Sequence, residues 1–284
     1  MKKKDYFVIY FLLILDLVIL INSKNIMNNI FYTSKLFIKN IFPSMFPTMI
    51  IANMLINLKI EKIIPKFIKL FFKKMFNLNE KLTSIYILSM LSGSPTNALL
   101  LKDYENDKNI ELILATTSFL NPLFIIGGVG IKVFNSAKVG FILLILLYIY
   151  SFIKLYFNRN KITYTYYLKE DKNNNSFFNN FKESVNKSIS TCLNIFAIIL
   201  VFNVLIFLII KIFNINYSLN IILSSLIEIT SGIIKIKNLN IDFIYKFIIS
   251  FVLLNFQGIC LQSQTIFLIK NKKIRYFKYL IYKL

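Results

Sequence analysis

Inside otherwise apolar stretches of this 284-residue chain, hydrogen-bonding residues and helix breakers gather in four places. Ser92, Gly93, Ser94, Pro95, Thr96 and Asn97 make the first cluster, and Asn121 with Pro122 the second. Glu228, Thr230, Ser231 and Gly232 make the third, and Asn255, Gln257, Gly258, Gln262 and Gln264 the fourth. Amides and hydroxyls of this kind hold a polar solute by hydrogen bonds; they do not break its bonds. Glu228 is the one acid among them. A carboxylate within a membrane segment costs roughly 3 kcal/mol on insertion scales, which makes it a functional hypothesis by default, the plainer reading being a shallow, wet segment or a lysine partner. It can bind a coupling cation, carry a proton or accept from a solute hydroxyl. The plainer role of the neutral residues is to join membrane helices, at roughly 0.6 kcal/mol per pair.

Other chemistry lacks its parts. The chain has no histidine, which removes Ser-His-Asp and Cys-His triads, His-ligated zinc and haem, and imidazole relays. Cys192 and Cys260 are 68 positions apart in apolar stretches and make neither a CxxC site nor a disulfide framework. There is no P-loop, no paired-carboxylate site, and Gly127-Gly-Val-Gly130 follows no strand. No enzyme, cofactor or metal centre is expected.

The elements that must position the four clusters are membrane helices. Hydrophobic residues make up 56% of the chain, with mean hydropathy +0.63, against about 45–50% in soluble domains. Thirty-four Lys and Arg against 13 Asp and Glu give +21, but the bases flank apolar runs, as cytoplasmic loops do, so nucleic acid is not an expected partner. Abundant Ile, Lys, Asn and Phe also look like A/T-rich codon bias.

Spanning a bilayer takes about 20 apolar residues. Tyr6 to Ile21 is read as an uncleaved first span behind Lys2, Lys3 and Lys4, for it lacks a small-x-small cleavage site. Leu36 to Leu58 carries Pro43 and Pro47, which should kink or restart it. Residues 59–81, with seven lysines among phenylalanines, should lie on the membrane surface. Ile85 to Leu91 and Ala98 to Leu101 are each too short to cross and read as a re-entrant hairpin around the first cluster. The link 102–111, with acids at 103, 105, 107 and 111, reads as solvated. Leu112 to Ile131, Leu219 to Ile236 and Ile241 to Ile269 are interrupted at the other three clusters, while Val139 to Phe157 and Ile189 to Ile210 are uninterrupted. Six of the seven glycines fall in the interrupted segments.

Ser94 to Asn121 and Glu228 to Asn255 are both 27 positions, so the second half repeats the rhythm of the first. With all lysine-rich stretches placed in the cytoplasm, the two halves run in opposite directions, an inverted repeat whose site forms at mid-membrane between broken helices. The expected fold is thus all-α and polytopic. Residues 1–35 form an anchor, 36–157 the first repeat, 158–183 a polar linker and 184–284 the second repeat, with the N-terminus cytoplasmic.

Several strings resemble the YlbJ-type sporulation integral membrane proteins of the nucleoside-recognition (Gate) domain family. They are Lys39-Asn-Ile-Phe-Pro-Ser-Met-Phe-Pro47, Leu91-Ser-Gly-Ser-Pro-Thr-Asn-Ala98, Asn121-Pro-Leu-Phe-Ile-Ile-Gly-Gly-Val-Gly130, Lys182-Glu-Ser184, Leu226-Ile-Glu-Ile-Thr-Ser-Gly232 and Asn255-Phe-Gln-Gly-Ile-Cys-Leu-Gln-Ser-Gln264. The resemblance implies a protein of the bacterial inner membrane, tied to spore cortex development, with a nucleoside-transporter-like gate fold. Family features carry over at Gly93, Pro95, Pro122, Glu228, Gly232 and Gly258.

The sequence therefore predicts a transporter or recognition protein for a small polar, nucleoside-like solute, or else a non-transporting scaffold of the spore envelope. Lipid, the solute and a coupling cation are its expected partners, with homo-oligomerisation left open. The solute would lie against Ser92, Gly93, Ser94, Thr96, Asn97, Asn121, Glu228, Thr230, Ser231, Asn255, Gln257, Gln262 and Gln264. Pro95, Pro122, Gly232 and Gly258 would break the helices.

Overall fold

A computed structural model describes residues 3–104, 107, 109–162, 176–269 and 274–284, which are helical with no strand among them. Lys2, Glu105, the middle of the polar linker and residues 270–273 lie outside the described residues.

Helix α1 (Lys3–Ile21) meets α2 (Ser23–Leu36) at Asn22, where the chain bends by 93°. The Asn22 side chain donates to the Val18 carbonyl (2.8 Å), which also accepts the Asn22 backbone N–H (3.2 Å), so the residue at the bend is tied to the end of α1. From α2 the chain passes through a π turn, Phe37–Ile41, into α3 (Phe42–Asn57). The two prolines do not stop this helix. Pro43 lies in its first turn, where a missing N–H costs least, and the wider π turn ahead of it takes up the mismatch. Past that point the hydroxyls of Ser44 (to Ile41 O, 2.9 Å) and Thr48 (to Met45 O, 2.9 Å) serve carbonyls around Pro47.

After a left-handed Lys59 and a 3₁₀ turn, α4 (Lys66–Phe76) turns Phe72 and Phe76 into the protein while Phe67, Leu70 and Phe71 stay exposed among its lysines. Asn79 caps α5 (Glu80–Ser92) by accepting from Leu82 N (2.7 Å), and α6 (Thr96–Leu100) follows. Next come α7 (Ile110–Thr116), a π-helical stretch Phe124–Ile131, α8 (Lys132–Phe134) and α9 (Ala137–Asn158). Helix α10 (Phe177–Ile212) has 36 residues, and at 1.5 Å per residue it measures about 54 Å, well beyond a bilayer core of about 30 Å. It begins earlier than the apolar run, with Ser176 as its N-cap accepting from Asn179 N (3.4 Å), which shortens the expected linker. The chain ends in α11 (Tyr217–Ile227), α12 (Ile229–Lys235), α13 (Phe243–Phe256), α14 (Gly258–Leu268) and α15 (Tyr276–Lys283).

Among the described residues, three stretches are long and apolar enough to cross a membrane: Ala137–Lys161, Phe177–Ile212 and Phe243–Leu268. The bent pair at Asn22 makes a fourth if taken as one span. Along α9, Phe141, Ile142, Ile145, Ile149 and Ile153 face outward at helical spacing, a surface that only lipid tails suit. The chain is a multi-pass membrane protein.

Between membrane helices close packing matters more than apolar transfer, and small residues permit it. A Cβ added at Gly130 would lie 2.7 Å from Gly140 Cα, so the π-helical stretch and α9 touch through two glycines. Three of the glycines read as helix breakers, Gly127, Gly128 and Gly130, therefore sit in unbroken π-helix instead.

The acidic link departs from expectation. Asp107 and Glu111 are 5% and 4% exposed, not solvated. Asp107 accepts from Asn109 N (2.9 Å), and Glu111 accepts from Arg275 N and Lys278 Nζ (3.3 Å each). These carboxylates are buried because they have work within the fold: Glu111 ties α15 back onto α7, which brings the end of the described chain into the core beside Tyr86, Phe119 and Leu155.

Candidate functional site

All four interrupted segments do break, each within or beside its polar cluster. At the first break α5 stops at Ser92 and Gly93 takes φ +77°, a left-handed conformation open to glycine. Space demands glycine there too, since a Cβ would come within 2.5 Å of Asn121 N. Ser94 then donates its N–H to Phe119 O (2.6 Å), and its hydroxyl lies 2.9 Å from that of Ser118. The tip of the first hairpin is thus fastened to the second break.

The second break is a loop over 117–121. Asn121 holds it from three sides, donating to Ser92 O (3.2 Å), Ser44 O (3.0 Å) and Thr48 Oγ1 (3.3 Å). Its Oδ1 accepts from Leu123 N (2.9 Å), which starts the next helix at Pro122. The fourth break is one residue wide. Gln257 has φ +68°, and its amide forms a two-point pair with Ser118: Nε2 donates to Ser118 O and Oε1 accepts from Ser118 Oγ, both at 2.7 Å. Through that pair the two halves of the chain meet.

At the third break Glu228 is extended and 2% exposed. Its carboxylate accepts from Thr230 N (2.9 Å), from the Thr230 hydroxyl and from Ser231 N (2.7 Å), which makes it the N-cap of α12. A negative cap on free N–H groups is the favourable sign. Ser231 Oγ donates to Asn203 of α10 (3.2 Å). Gly258 closes the set, for a Cβ there would lie 3.1 Å from Ile229 N. The breaks therefore touch in the order first, second, fourth, third.

The remaining candidates have separate partners. Asn97 donates to Leu114 O (3.3 Å) and Thr117 Oγ1 (3.2 Å), while the Thr96 hydroxyl is buried without a partner. Asn255 donates back to Phe251 O (3.0 Å). Gln262 donates to Phe256 O and accepts from Tyr276 (2.7 Å each), and Gln264 donates to Cys260 Sγ (3.3 Å). Gly232 lies within α12, not at the break, and serves packing: a Cβ would fall 2.3 Å from Ser225 N of α11.

Beside the Ser118–Gln257 pair lies a cavity of about 20 Å³, walled by Phe119, Leu120, Leu144, Leu147, Leu254, Tyr148, Ser151, Asn255 and two lysines, Lys154 and Lys283. Lys283 reaches in from α15 and donates to Ser118 O (2.9 Å). Burial, with the nearby Lys154 charge adding to it, holds the Lys283 ammonium well below the usual lysine range. The Tyr279 hydroxyl faces Ser118 without a hydrogen bond of acceptable geometry.

Ser118, Lys154 and Lys283 were not legible as site residues. Ser118 directly follows Thr116-Thr117 in the second interrupted segment, a polar run that could have marked it. The two lysines carried no signal, because their sequence neighbours look like any cytoplasmic flank.

Glu228→Gln is expected to destabilise the protein by about 1–3 kcal/mol, because an amide NH₂ placed against one of these buried donors leaves that donor unsatisfied. The thermal midpoint of detergent-purified protein checks this, and an unchanged midpoint would show that the cap carries no weight. Compared with known proteins, the chain matches no family model, no curated protein and no solved structure.

Proposed function

We propose that this protein recognises or transports a small polar, nucleoside-like solute at the junction of its four helix breaks, in two halves of inverted topology. The convergence of those breaks carries the proposal. Irregular backbone at membrane depth is tolerated where protein or a cavity satisfies its polar groups, and transporters place binding sites at such points. Here Ser94, Ser118 and Gln257 join both halves in one hydrogen-bonded chain. In keeping with the resemblance noted in the sequence, the site would work in the cytoplasmic membrane of a spore-forming bacterium, with the N-terminus inside.

A pocket for a drug-sized ligand takes about 300 Å³ or more, far above the 20 Å³ present. In this proposal the structure is a closed state, and the solute enters when the hairpin tip at Gly93 parts from Asn121. That same small volume favours the second reading, a scaffold of the spore envelope in which the breaks are locked. A thermal-shift screen of purified protein with nucleosides, amino sugars and peptidoglycan precursors, followed by proteoliposome uptake of any hit, separates the two. A saturable hit taken up by the wild type and lost on Ser118→Ala supports transport. No hit and no uptake supports the scaffold.

A further inference from the structure

The cavity beside Ser118 is lined by two lysines and otherwise by neutral residues. Each lysine ammonium has three N–H donors. Lys283 uses one on Ser118 O, and Lys154 uses one on Lys283 O (2.6 Å) while lying 4.5 Å from the Tyr150 ring centre. Two N–H groups remain on each. Ser118 O takes both Lys283 and Gln257, and the Tyr148 and Ser151 hydroxyls donate away to Met90 O (2.6 Å) and Thr116 O (2.8 Å), so the acceptors around the cavity are neutral oxygens. No Asp or Glu lines the cavity, and among the described residues neither lysine is ion-paired.

Two lysine ammonium groups beside one small space, without a carboxylate in its lining, are favoured by something negative between them. We propose that this cavity binds a small inorganic anion, of halide size, between Lys154 and Lys283. Size narrows the class. A space of about 20 Å³ holds one water or a monatomic ion, since one water needs about 10–15 Å³. It excludes sulfate, phosphate and nucleotides in this conformation. Burial first, and the neighbouring Lys154 charge second, lower the affinity of Lys283 for its proton, and an anion would offset the second of these. The proposal rests on the cavity alone and holds whether or not a larger solute is moved. It also places an anion, as the accompanying ion, beside the Ser118–Gln257 pair that joins the two halves.

Radioactive chloride binding to full-length protein, purified in detergent with gluconate as the only other anion, tests this directly. One saturable site per chain is expected, displaced by bromide and not by sulfate. Lys154→Gln and Lys283→Met should each weaken it at least tenfold, and Lys154→Arg should retain most of it. Absence of saturable binding to the wild type overturns the proposal, as does displacement by sulfate equal to that by bromide, which would mark surface ammonium groups. If Lys283→Met fails to give monodisperse protein, Lys154→Gln decides alone: Lys154 is half-buried in the last turns of α9, and wild-type affinity in that variant overturns the site.

Discussion

Gly232→Ala is expected to be among the most damaging single substitutions in this chain. The added methyl would lie 2.3 Å from Ser225 N and 2.4 Å from Ser225 Cα, both backbone atoms that cannot rotate aside. Helices α11 and α12 must then separate, and overpacking of this kind costs about 1–3 kcal/mol, here at the upper end. The movement would not stay local. Ser225 O and Ile227 O lie about as close to Gly258 as Ile229 N does, so displacing α11 also shifts the fourth break and the Gln257–Ser118 pair that follows it. Gly127→Ala is the matched control. It meets nothing within 4 Å and lies in helical backbone, where alanine is favoured by up to about 1 kcal/mol. Thermal midpoints of the two variants in detergent should move in opposite directions, or Gly127→Ala should stay level. A Gly232→Ala protein as stable as wild type would mean that the two arms of the hairpin are not held at this spacing.

The pair also shows what the sequence could and could not disclose. Glycine, proline and amide residues inside an apolar run signal that the helix stops, because lipid cannot satisfy the freed groups. That signal located all four breaks to within a few residues. It did not say which glycine does what. Gly93 and Gly258 have left-handed φ at a break, whereas Gly130, Gly140 and Gly232 only permit close approach, a distinction that depends on distant partners. The proline pair signals a kink or restart, and α3 does start at Phe42 with Pro43 in its first turn. But the π turn at Phe37–Ile41 ahead of it and the use of Ser44 O and Thr48 Oγ1 as acceptors for Asn121 depend on distant partners.

Charge was the least legible property. Lysines near helix ends read as a topology signal, and acids in a short link read as solvated. Both rules describe averages over loops, and here the chain folds back: Glu111 captures Arg275 N and Lys278, and α15 carries Lys283 inward. Once Glu111 and Lys283 are placed, part of the +21 excess is internal to the protein rather than spread along a membrane face.

Substitutions at Gln257 should separate the worth of the junction from the strain of its backbone. Two interactions with Ser118 are lost in both Gln257→Gly and Gln257→Ala, leaving a buried hydroxyl to find another partner, at about 1–3 kcal/mol for each group left unsatisfied. The backbone responses differ. At φ +68° a residue with a Cβ carries a cost of about 1–2 kcal/mol that glycine does not. The expected order of stability is therefore wild type, then Gln257→Gly, then Gln257→Ala, with the two variants about 1 kcal/mol apart. If Gln257→Gly matched wild type, the Ser118 pair would contribute nothing beyond turning the chain, and the contact between the two halves would rest on packing and on hydrogen bonds such as those of Lys283 and Glu111. If the two variants were equal, the left-handed turn would be relaxed in the protein. A large gap below wild type for both, with chloride binding weakened in parallel, would show that the geometry of the Ser118 carbonyl governs how Lys283 is held. The same amide pair would then set both the stability of the junction and the charge it presents.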